Sequence, residues 1–298
     1  ARGGLFFFFF VAEGLKSGKI ASFGYDVHTV EPRESCILYD FENAIATPHI
    51  GATTYEAQKN VGTQVVRQVL NGLRGEIVET AVNLPSMGRE EFSIIKPYIS
   101  LAEKLGKIYY QIKKDAVTSI KINYYGELSE QETTLIDSTV VKGLLEPVLK
   151  EEVNYINSLV QAKKRDISVF VNKKETKYEN YLSALEIVIR NDKNEQFKVI
   201  GIIGTNGEER IVNADDYFVD IIISDNMVLL KNNDVPGVIG VVGKILGEEN
   251  VNIATMCVGR KKESAIMLLT VDEPVKKSSL IKLNEAEQIK WAFYLELK

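Results

Sequence analysis

Two long stretches of the chain carry apolar residues every three or four positions, the spacing of an amphipathic helix. The first predicted helix runs from Thr54 to Leu73, and Asn71-Gly72 with Gly75 supplies its end. Its apolar face consists of Ala57, Val61, Val65, Val69 and Leu73. The second covers residues 94–112, with Ile95, Ile99, Ala102, Leu105 and Ile108 on one face. Shorter patterns predict two more helices at residues 133–145 and 153–164.

Strand patterns accompany the helices in the middle of the chain. Residues 117–124 alternate apolar and polar side chains, which is typical of a strand with one buried face. Apolar runs predict further strands at residues 167–171, 184–190, 197–203 and 217–223. The stretch Gly201–Gly207 lacks the Gly-x-Gly start of a dinucleotide-binding loop, and its Asn206-Gly207 pair favours a hairpin. We therefore expect an α+β domain with a mixed sheet.

The stretch from Asn226 to Lys298 predicts the order strand, helix, strand, strand, helix, strand, which is ferredoxin-like βαββαβ. Its strands fall at residues 227–230, 251–256, 265–271 and 291–297, and its second helix falls at residues 278–287. The first helix follows the turn 233–237, whose Pro236 suits a helix start. Glycines at 240, 243 and 247 lie within that helix, so we expect a small-residue stripe that packs tightly on the sheet.

The start of the chain has a less regular pattern. Ile20–Val27 predicts a buried strand that ends in Asp26. Phe6–Phe10 places five aromatic residues in a row and has neither a helical nor a strand period. Such a run is expected to bury well only in apolar surroundings.

Composition indicates a globular protein and excludes several functions. The 298 residues suit two or three domains, and a hydrophobic content of 45% is ample for packed cores. The net charge of −5 argues against nucleic acid as a main partner. Cys36 and Cys257 give neither a disulfide framework nor metal-ligand spacing, so no metal is expected. The longest apolar run, Leu5–Ala12, is too short to span a bilayer and lacks a signal-peptide cleavage region, so we expect a soluble cytoplasmic protein.

The stretch Thr47–Ala52 is the first candidate for chemistry. It contains His49, one of two histidines in the chain, between a predicted short strand and the first long helix. Pro48 fixes its own φ, and Gly51 allows a turn or a close approach to a ligand. An imidazole titrates near neutral pH and suits general acid/base work on such a stiff turn. A structural histidine is the alternative. The other histidine, His28, lies in a loop and is assigned no role.

Three pieces in this order resemble the D-2-hydroxyacid dehydrogenases: Arg2 in Ala1–Gly4, Glu31 in Asp26–Pro32, and His49. The resemblance continues through Glu56-Ala57-Gln58 and through residues 81–85. Where the chain has Phe7 and Phe8, this family places an acidic pair that starts a helix.

The resemblance implies an NAD-dependent oxidation of a 2-hydroxy acid. His49 would take the hydroxyl proton, Glu31 would hold its imidazole, and Arg2 would orient the substrate carboxylate. The residues implied at the NAD site are Ala1, Arg2, Asp26, His49, Gly51 and Ala52. On the residues alone, Asp26 is equally a loop-capping aspartate and Glu31 a solvated loop acid.

After residue 85 the chain resembles the long-form D-3-phosphoglycerate dehydrogenases. Residues 142–145, 153–158 and 201–205 are similar to their intervening domain, in which Arg210 would belong to an anion site. A solvated surface arginine is the alternative. The last stretch resembles an ACT domain, an amino-acid sensor that binds its ligand between two chains. The implied regulatory site consists of Asp234, Gly237 and Asn252, with an N-cap and a turn residue as the alternatives for the two polar side chains.

The resemblance implies α/β and α+β multidomain architecture. The end of a Rossmann-like catalytic unit is expected at residues 1–86, the intervening domain at 87–224 and the ACT domain at 225–298. It also implies oxidation of 3-phosphoglycerate in L-serine biosynthesis, an L-serine effector and a homo-oligomer. The sequence lacks the Gly-x-Gly-x-x-Gly phosphate loop, so we expect this chain alone to be inactive. A non-catalytic, amino-acid-sensing fragment is the alternative function.

Overall fold

The computed structural model describes residues 6–74, 78, 81–82, 89–149 and 153–298. The chain divides into two compact units, Ala1–Glu79 and Thr80–Lys298, and each is described by itself. The domain boundaries expected at residues 86 and 224 stay predictions.

The first unit is built around two short parallel strands. Its elements are α1 (Phe8–Lys16), β1 (Phe23–Tyr25), a 3-10 helix (Ile37–Asp40), β2 (Ala44–Ala46) and α2 (Tyr55–Leu73). β1 pairs with β2 in parallel register, with Phe23 opposite Ala44 and Tyr25 opposite Ala46. A small core forms from Val11, Ala12, Leu15 and Leu38. The carboxyl ends of both strands therefore lie side by side.

The buried strand expected over Ile20–Val27 is wrong in length and in burial. β1 covers three residues and is at most half-buried. Ile20 instead donates its backbone N–H to the Gly14 carbonyl at 3.0 Å, which closes the end of α1. Helix α1 begins within the phenylalanine run, at Phe8. The Phe8 ring lies 5.0 Å from the Tyr25 ring, and the other four rings of the run are exposed.

The helix predicted from Thr54 to Leu73 is confirmed as α2. Thr54 is its N-cap and accepts a 3.2 Å hydrogen bond from the backbone N–H of Ala57. No residue of α2 is buried among the described residues. Its predicted apolar face therefore faces solvent in this unit.

A mixed sheet with three helices forms the first part of the second unit, as predicted, and this sheet has six strands. The elements are α3 (Arg89–Ile112), β3 (Val117–Gly126), α4 (Thr134–Leu145), α5 (Ser158–Lys163), β4 (Ser168–Lys174), β5 (Ser183–Asn191), β6 (Gln196–Ile203), β7 (Glu209–Ala214) and β8 (Tyr217–Ile222). The strand order is β4-β3-β5-β6-β7-β8. β3 and β4 are parallel, and the other neighbours are antiparallel.

Helix α3 packs on this sheet and against α4 with its predicted apolar face. All five residues of that face are buried. The sheet accommodates the helix at Gly201, where an added Cβ would lie 2.8 Å from the side chains of Leu101 and Leu105. The two helices meet at a glycine pair. A Cβ on Gly106 would lie 2.4 Å from the Val140 carbonyl oxygen, and one on Gly143 would lie 2.3 Å from that of Glu103.

Two sequence predictions for this sheet need correction, and one is confirmed. The helix expected over residues 153–164 starts at Ser158, because the Asn154 carboxamide oxygen accepts 3.0 Å hydrogen bonds from the N–H groups of Ile156 and Asn157 and holds a turn. Strand β7 was not predicted. The hairpin at Asn206-Gly207 is confirmed: Gly207 has φ +84° and joins antiparallel β6 and β7.

The end of the chain forms the predicted ferredoxin-like βαββαβ unit. Its elements are β9 (Asn226–Asn233), α6 (Val238–Glu248), β10 (Ile253–Lys261), β11 (Ser264–Val271), α7 (Lys277–Glu285) and β12 (Ile289–Glu296). The strand order is β10-β11-β9-β12, and all neighbours are antiparallel.

The expectation that the α6 glycines pack on this sheet is wrong. Helix α6 turns Val238, Val242 and Leu246 into the core, at the i, i+4, i+8 spacing of one face. A Cβ added at Gly240, Gly243 or Gly247 would meet nothing within 4 Å. Branched apolar side chains therefore take the buried face and leave the small residues outside.

A membrane-spanning helix and a metal-binding cluster are both absent from the described residues. None of the described helices is long and apolar enough to cross a membrane. Within the same residues, no group of three or more His, Cys, Asp and Glu side chains is placed to hold a metal ion.

Candidate active site

The carboxylate of Asp26 holds the turn that follows β2. It accepts hydrogen bonds from the Thr47 hydroxyl, from the Ile50 N–H at 2.7 Å and from the Gly51 N–H at 2.8 Å. The Thr47 hydroxyl and then these N–H groups lower the pKa of Asp26 to about 2. Asp26 follows β1 directly, so the parallel strand pair sets the distance between this carboxylate and the turn.

Glycine at position 51 leaves room for the close approach of this carboxylate. An added Cβ on Gly51 would lie 2.9 Å from Oδ2 of Asp26, closer than real side chains come. Its neighbour His49 has a left-handed backbone with φ +58°, which is uncommon outside glycine. The carboxylate therefore stabilises a backbone that presents the His49 side chain to solvent.

His49 and Glu31 form an ion pair, as the sequence led us to expect. Nδ1 of His49 lies 2.7 Å from Oε2 of Glu31. Their hydrogen bond raises the pKa of His49 and lowers the pKa of Glu31. Both side chains are well exposed, at 49% and 36%, so solvent screens the pair and it adds little to stability. Because Nδ1 is engaged, Nε2 remains to exchange a proton with a substrate.

His28 contacts both Glu31 and the turn that carries His49, although we predicted no role for it from the sequence. Its backbone N–H donates to Oε1 of Glu31 at 2.8 Å, and its ring Nε2 lies 3.1 Å from the Thr47 carbonyl oxygen. The residue is 7% exposed, and its ring meets that of Tyr25 edge-on at 4.9 Å. Since an oxygen acceptor needs a donor, Nε2 carries the hydrogen. Its contacts reach across 19 residues, so no local sequence signal reveals them.

Replacing His28 by Phe is expected to lower the pKa of His49 toward its ordinary value. Phe keeps a ring in the buried site but loses the donor to the Thr47 carbonyl, so the turn that carries His49 loosens from Glu31. His28→Gln restores an N–H donor and should recover the raised pKa. NMR titration reads His49 directly, because it is the one histidine left in either variant. A His49 pKa unchanged by His28→Phe contradicts this role.

The structure brings together part of the predicted NAD site. Asp26, His49, Gly51 and Ala52 lie in or against one turn at the carboxyl ends of β1 and β2. Ala1 and Arg2 lie outside the described residues. Asp26 caps the turn, which is the structural role that we considered as the alternative for it. Its contact with NAD stays a prediction.

Arg210 binds acidic neighbours within the six-stranded sheet. Its Nε donates to Asp220 at 2.7 Å, and Nη1 lies 3.4 Å from Glu208. The Asp220 carboxylate raises the pKa of Arg210. A ligand anion would compete with these two carboxylates, and the anion site stays a prediction.

The three residues of the predicted regulatory site lie around α6. The Asp234 carboxylate accepts a 2.7 Å hydrogen bond from Arg260. The alternative of an Asp234 N-cap is wrong, because the N-cap is Gly237 with φ +91°. Asn252 follows the other end of α6 and donates to Asp272 at 2.7 Å. One chain therefore places Asp234 and Asn252 at opposite ends of the helix, and their joint role stays a prediction.

Comparisons with known proteins agree with the fold. Residues 94–215 match the family model of the D-3-phosphoglycerate dehydrogenase intervening domain. The chain is 39% identical over 292 residues to D-3-phosphoglycerate dehydrogenase of Methanocaldococcus jannaschii, across 97% of this chain and 55% of that protein. For the proteins of the same name, identity is 36% in Bacillus subtilis (97% and 55%) and 35% in Archaeoglobus fulgidus (100% and 57%). The chain spans about half the length of these curated relatives. Residues 94–215 therefore belong to the family of the D-3-phosphoglycerate dehydrogenase intervening domain, and the chain is similar to D-3-phosphoglycerate dehydrogenases along nearly its whole length.

Proposed function

We propose that this chain forms part of an NAD-dependent D-3-phosphoglycerate dehydrogenase that oxidises 3-phospho-D-glycerate to 3-phosphohydroxypyruvate in L-serine biosynthesis. The observation that carries the proposal is the 2.7 Å contact between His49 and Glu31. A carboxylate-held imidazole with a free Nε2 is the group that removal of a hydroxyl proton needs. The names of the relatives support this substrate.

In this mechanism Nε2 of His49 accepts the proton of the substrate hydroxyl at carbon 2. Glu31 stabilises the imidazolium that results, because its carboxylate already raises the pKa of His49. Arg2 would hold the substrate carboxylate through its planar guanidinium, as the family resemblance implies. His28 and Asp26 keep the imidazole in place through their contacts with Glu31 and with the turn.

The turn also fits the predicted NAD contact. It lies where two parallel strands end, the edge at which open α/β sheets bind their ligands. Gly51 and Ala52 are exposed there, so a ligand can approach their backbone. Asp26, Gly51 and Ala52 would hold the nicotinamide end of NAD, which when bound accepts the hydride from the substrate.

A chimaera tests this proposal. This chain would be joined to the part of the Methanocaldococcus jannaschii relative that lies outside their match. We expect the chimaera to reduce NAD with 3-phospho-D-glycerate and to respond far less to D-lactate, measured by NADH absorbance. A folded chimaera that reduces no NAD with the phosphorylated substrate contradicts the proposed function.

A second proposed function is amino-acid sensing by the ferredoxin-like unit. The observation that favours it is the antiparallel β10-β11-β9-β12 sheet with both helices in the order of an ACT domain. Two chains would pair through these units in a homo-oligomer. L-serine would bind between them, its carboxylate at the start of α6 near Gly237 and its ammonium at Asp234. Asn252 of the second chain would complete the site. Each charge of the zwitterion then has a partner, which burial requires.

Calorimetric titration of the whole chain with L-serine is expected to show binding that Asp234→Ala abolishes. The lost carboxylate leaves the ligand ammonium unpaired, whereas Glu248→Ala removes an exposed acid from the far end of α6 and should change nothing. Heat of binding that survives Asp234→Ala rules out this site. No heat at millimolar serine rules out serine sensing.

A further inference from the structure

A cavity of about 850 Å³ lies beside the outer strand of the six-stranded sheet. Its walls are mostly apolar and come from α5 and from the segment that ends in β4. The apolar lining residues are Leu159, Ile167, Val169, Phe170 and Val171. This volume lies within the range of small-molecule sites in proteins.

A buried carboxylate also lines the cavity. Asp137 of α4 is 8% exposed, and its Oδ1 accepts a 2.5 Å hydrogen bond from the Tyr124 hydroxyl. Among the described residues, no second donor reaches this carboxylate, so Oδ2 is left to the cavity. Burial raises the pKa of Asp137 to about 6. The charge of Lys173 lowers this pKa, and that of Glu132 raises it. The Lys173 ammonium donates its hydrogen bond to the Gln131 carbonyl. At neutral pH Asp137 is still mostly ionised, so a cation that reaches it from the cavity would give this buried carboxylate a direct partner.

The neighbouring strand offers backbone groups to a ligand. The cavity is lined by four consecutive residues, 168–171, and consecutive residues point to opposite faces of a strand. The cavity therefore lies along the edge of β4, not on one face. β4 is the outermost strand and pairs only with β3, so the backbone groups on its other edge have no strand partner among the described elements.

Side-chain charges at the cavity wall suit a ligand with more than one polar group. Lys163 is exposed and forms no ion pair with the described residues. Asp166 is exposed on the same wall. Asp137 differs from Asp166 because it is buried within the cavity lining.

We propose that this cavity binds a small ligand that carries a primary ammonium group on a short apolar body. The ammonium donates to Oδ2 of Asp137, and the apolar body packs against Leu159, Val169 and Val171. The ligand is either a simple alkylamine or an α-amino acid with an apolar side chain. In the second case Lys163 and the free N–H groups of β4 receive the carboxylate. All of the cavity's lining residues belong to the second unit, and the proposal does not depend on dehydrogenase activity.

Binding to the whole chain is measured with three probes of similar apolar size. These are 3-methylbutylamine, L-leucine and 4-methylpentanoate, which carry the ammonium alone, both charges, and the carboxylate alone. We expect the amine and L-leucine to bind, with NMR shifts of the Leu159, Val169 and Val171 methyl groups, and 4-methylpentanoate not to bind. If L-leucine binds more tightly than the amine, and if Lys163→Met removes this difference, the ligand class is the amino acid. If the amine binds more tightly than L-leucine, the ligand class is the alkylamine.

Asp137→Asn is expected to weaken binding by roughly ten- to a hundredfold, since it replaces a charge-assisted hydrogen bond. Asp192→Asn, the control, changes an exposed aspartate that does not line the cavity and should leave affinity unchanged. Affinity in the unmodified chain should also fall as the pH drops through about 6, where Asp137 takes up its proton. This pH series replaces the variant if Asp137→Asn unfolds. The proposal is overturned if neither ammonium probe binds at millimolar concentration, if 4-methylpentanoate binds as well as the amine, or if affinity is indifferent to Asp137 and to pH.

Discussion

His49→Asn in the chimaera is expected to lower kcat by roughly a hundred- to ten-thousandfold, the contribution of a positioned acid/base. Asn keeps a polar side chain at the turn but has no group that titrates near neutral pH. NAD affinity should change little, because the turn is held by Asp26 rather than by the imidazole. Steady-state kinetics give kcat, and quenching of protein fluorescence by the dinucleotide gives its affinity.

Glu31→Gln shows whether the pair acts as proposed. Oxidation needs the neutral imidazole, so the rate rises with pH through the pKa of His49. Glu31 raises that pKa, and its removal should therefore move this limb of the pH profile to lower pH. The exposed neighbour Glu34 provides the control Glu34→Gln, which should leave the profile in place. Wild-type rates in His49→Asn, or an unmoved profile in Glu31→Gln, contradict the assigned roles.

Gly106→Ala is expected to destabilise the second unit by at least ~2 kcal/mol, at the upper range of overpacking substitutions. The new methyl group would lie 2.4 Å from the Val140 carbonyl oxygen, and a backbone atom of a packed helix cannot move aside as a side-chain end can. Gly143→Ala should cost a similar amount at the reciprocal contact with Glu103. Because either methyl group separates the same two helices, the double variant should cost less than the sum. Denaturant unfolding measures each free energy.

Gly243→Ala in α6 is the matched control within the same unit. Its methyl group would meet nothing within 4 Å, so helix propensity alone predicts a gain of roughly 0.5–1 kcal/mol. Equal destabilisation by Gly106→Ala and Gly243→Ala would show that the close contact of α3 and α4 is not what distinguishes the two glycines.

Elements whose burial is periodic were predicted well. The five residues of the predicted α3 face follow a helical period because that side of the helix contacts the sheet, and all five are buried. The βαββαβ order emerged for the same reason. β7 escaped prediction because its first two residues, Glu209 and Arg210, are charged and because it is held by strands on both sides rather than by its own pattern. The prediction for the α6 glycines was wrong because residue spacing shows which residues share a helix face but not whether that face is buried or exposed.

The residues of the candidate site were predictable, but the hydrogen bonds that hold them in place were not. The contact between Glu31 and His49 was implied by the resemblance of their motifs to the D-2-hydroxyacid dehydrogenases, and the structure shows this contact. Asp26 accepts hydrogen bonds from two backbone N–H groups, and His28 contacts the Thr47 carbonyl. Both contacts depend on where β1 and β2 place two loops that are distant in sequence. Tertiary geometry of that kind leaves no trace in residue type or spacing.

The Asp26 carboxylate also lets the turn stay rigid when His49 gains or loses a proton. Its lowered pKa, about 2, means that the stabilisation it gives is complete above the ordinary aspartate range and is lost only as the pH falls through that value. His49 titrates several pH units higher, since its own pKa is raised from 6.5. The imidazole can therefore gain and lose a proton while the turn that carries it keeps the same charge and the same hydrogen bonds.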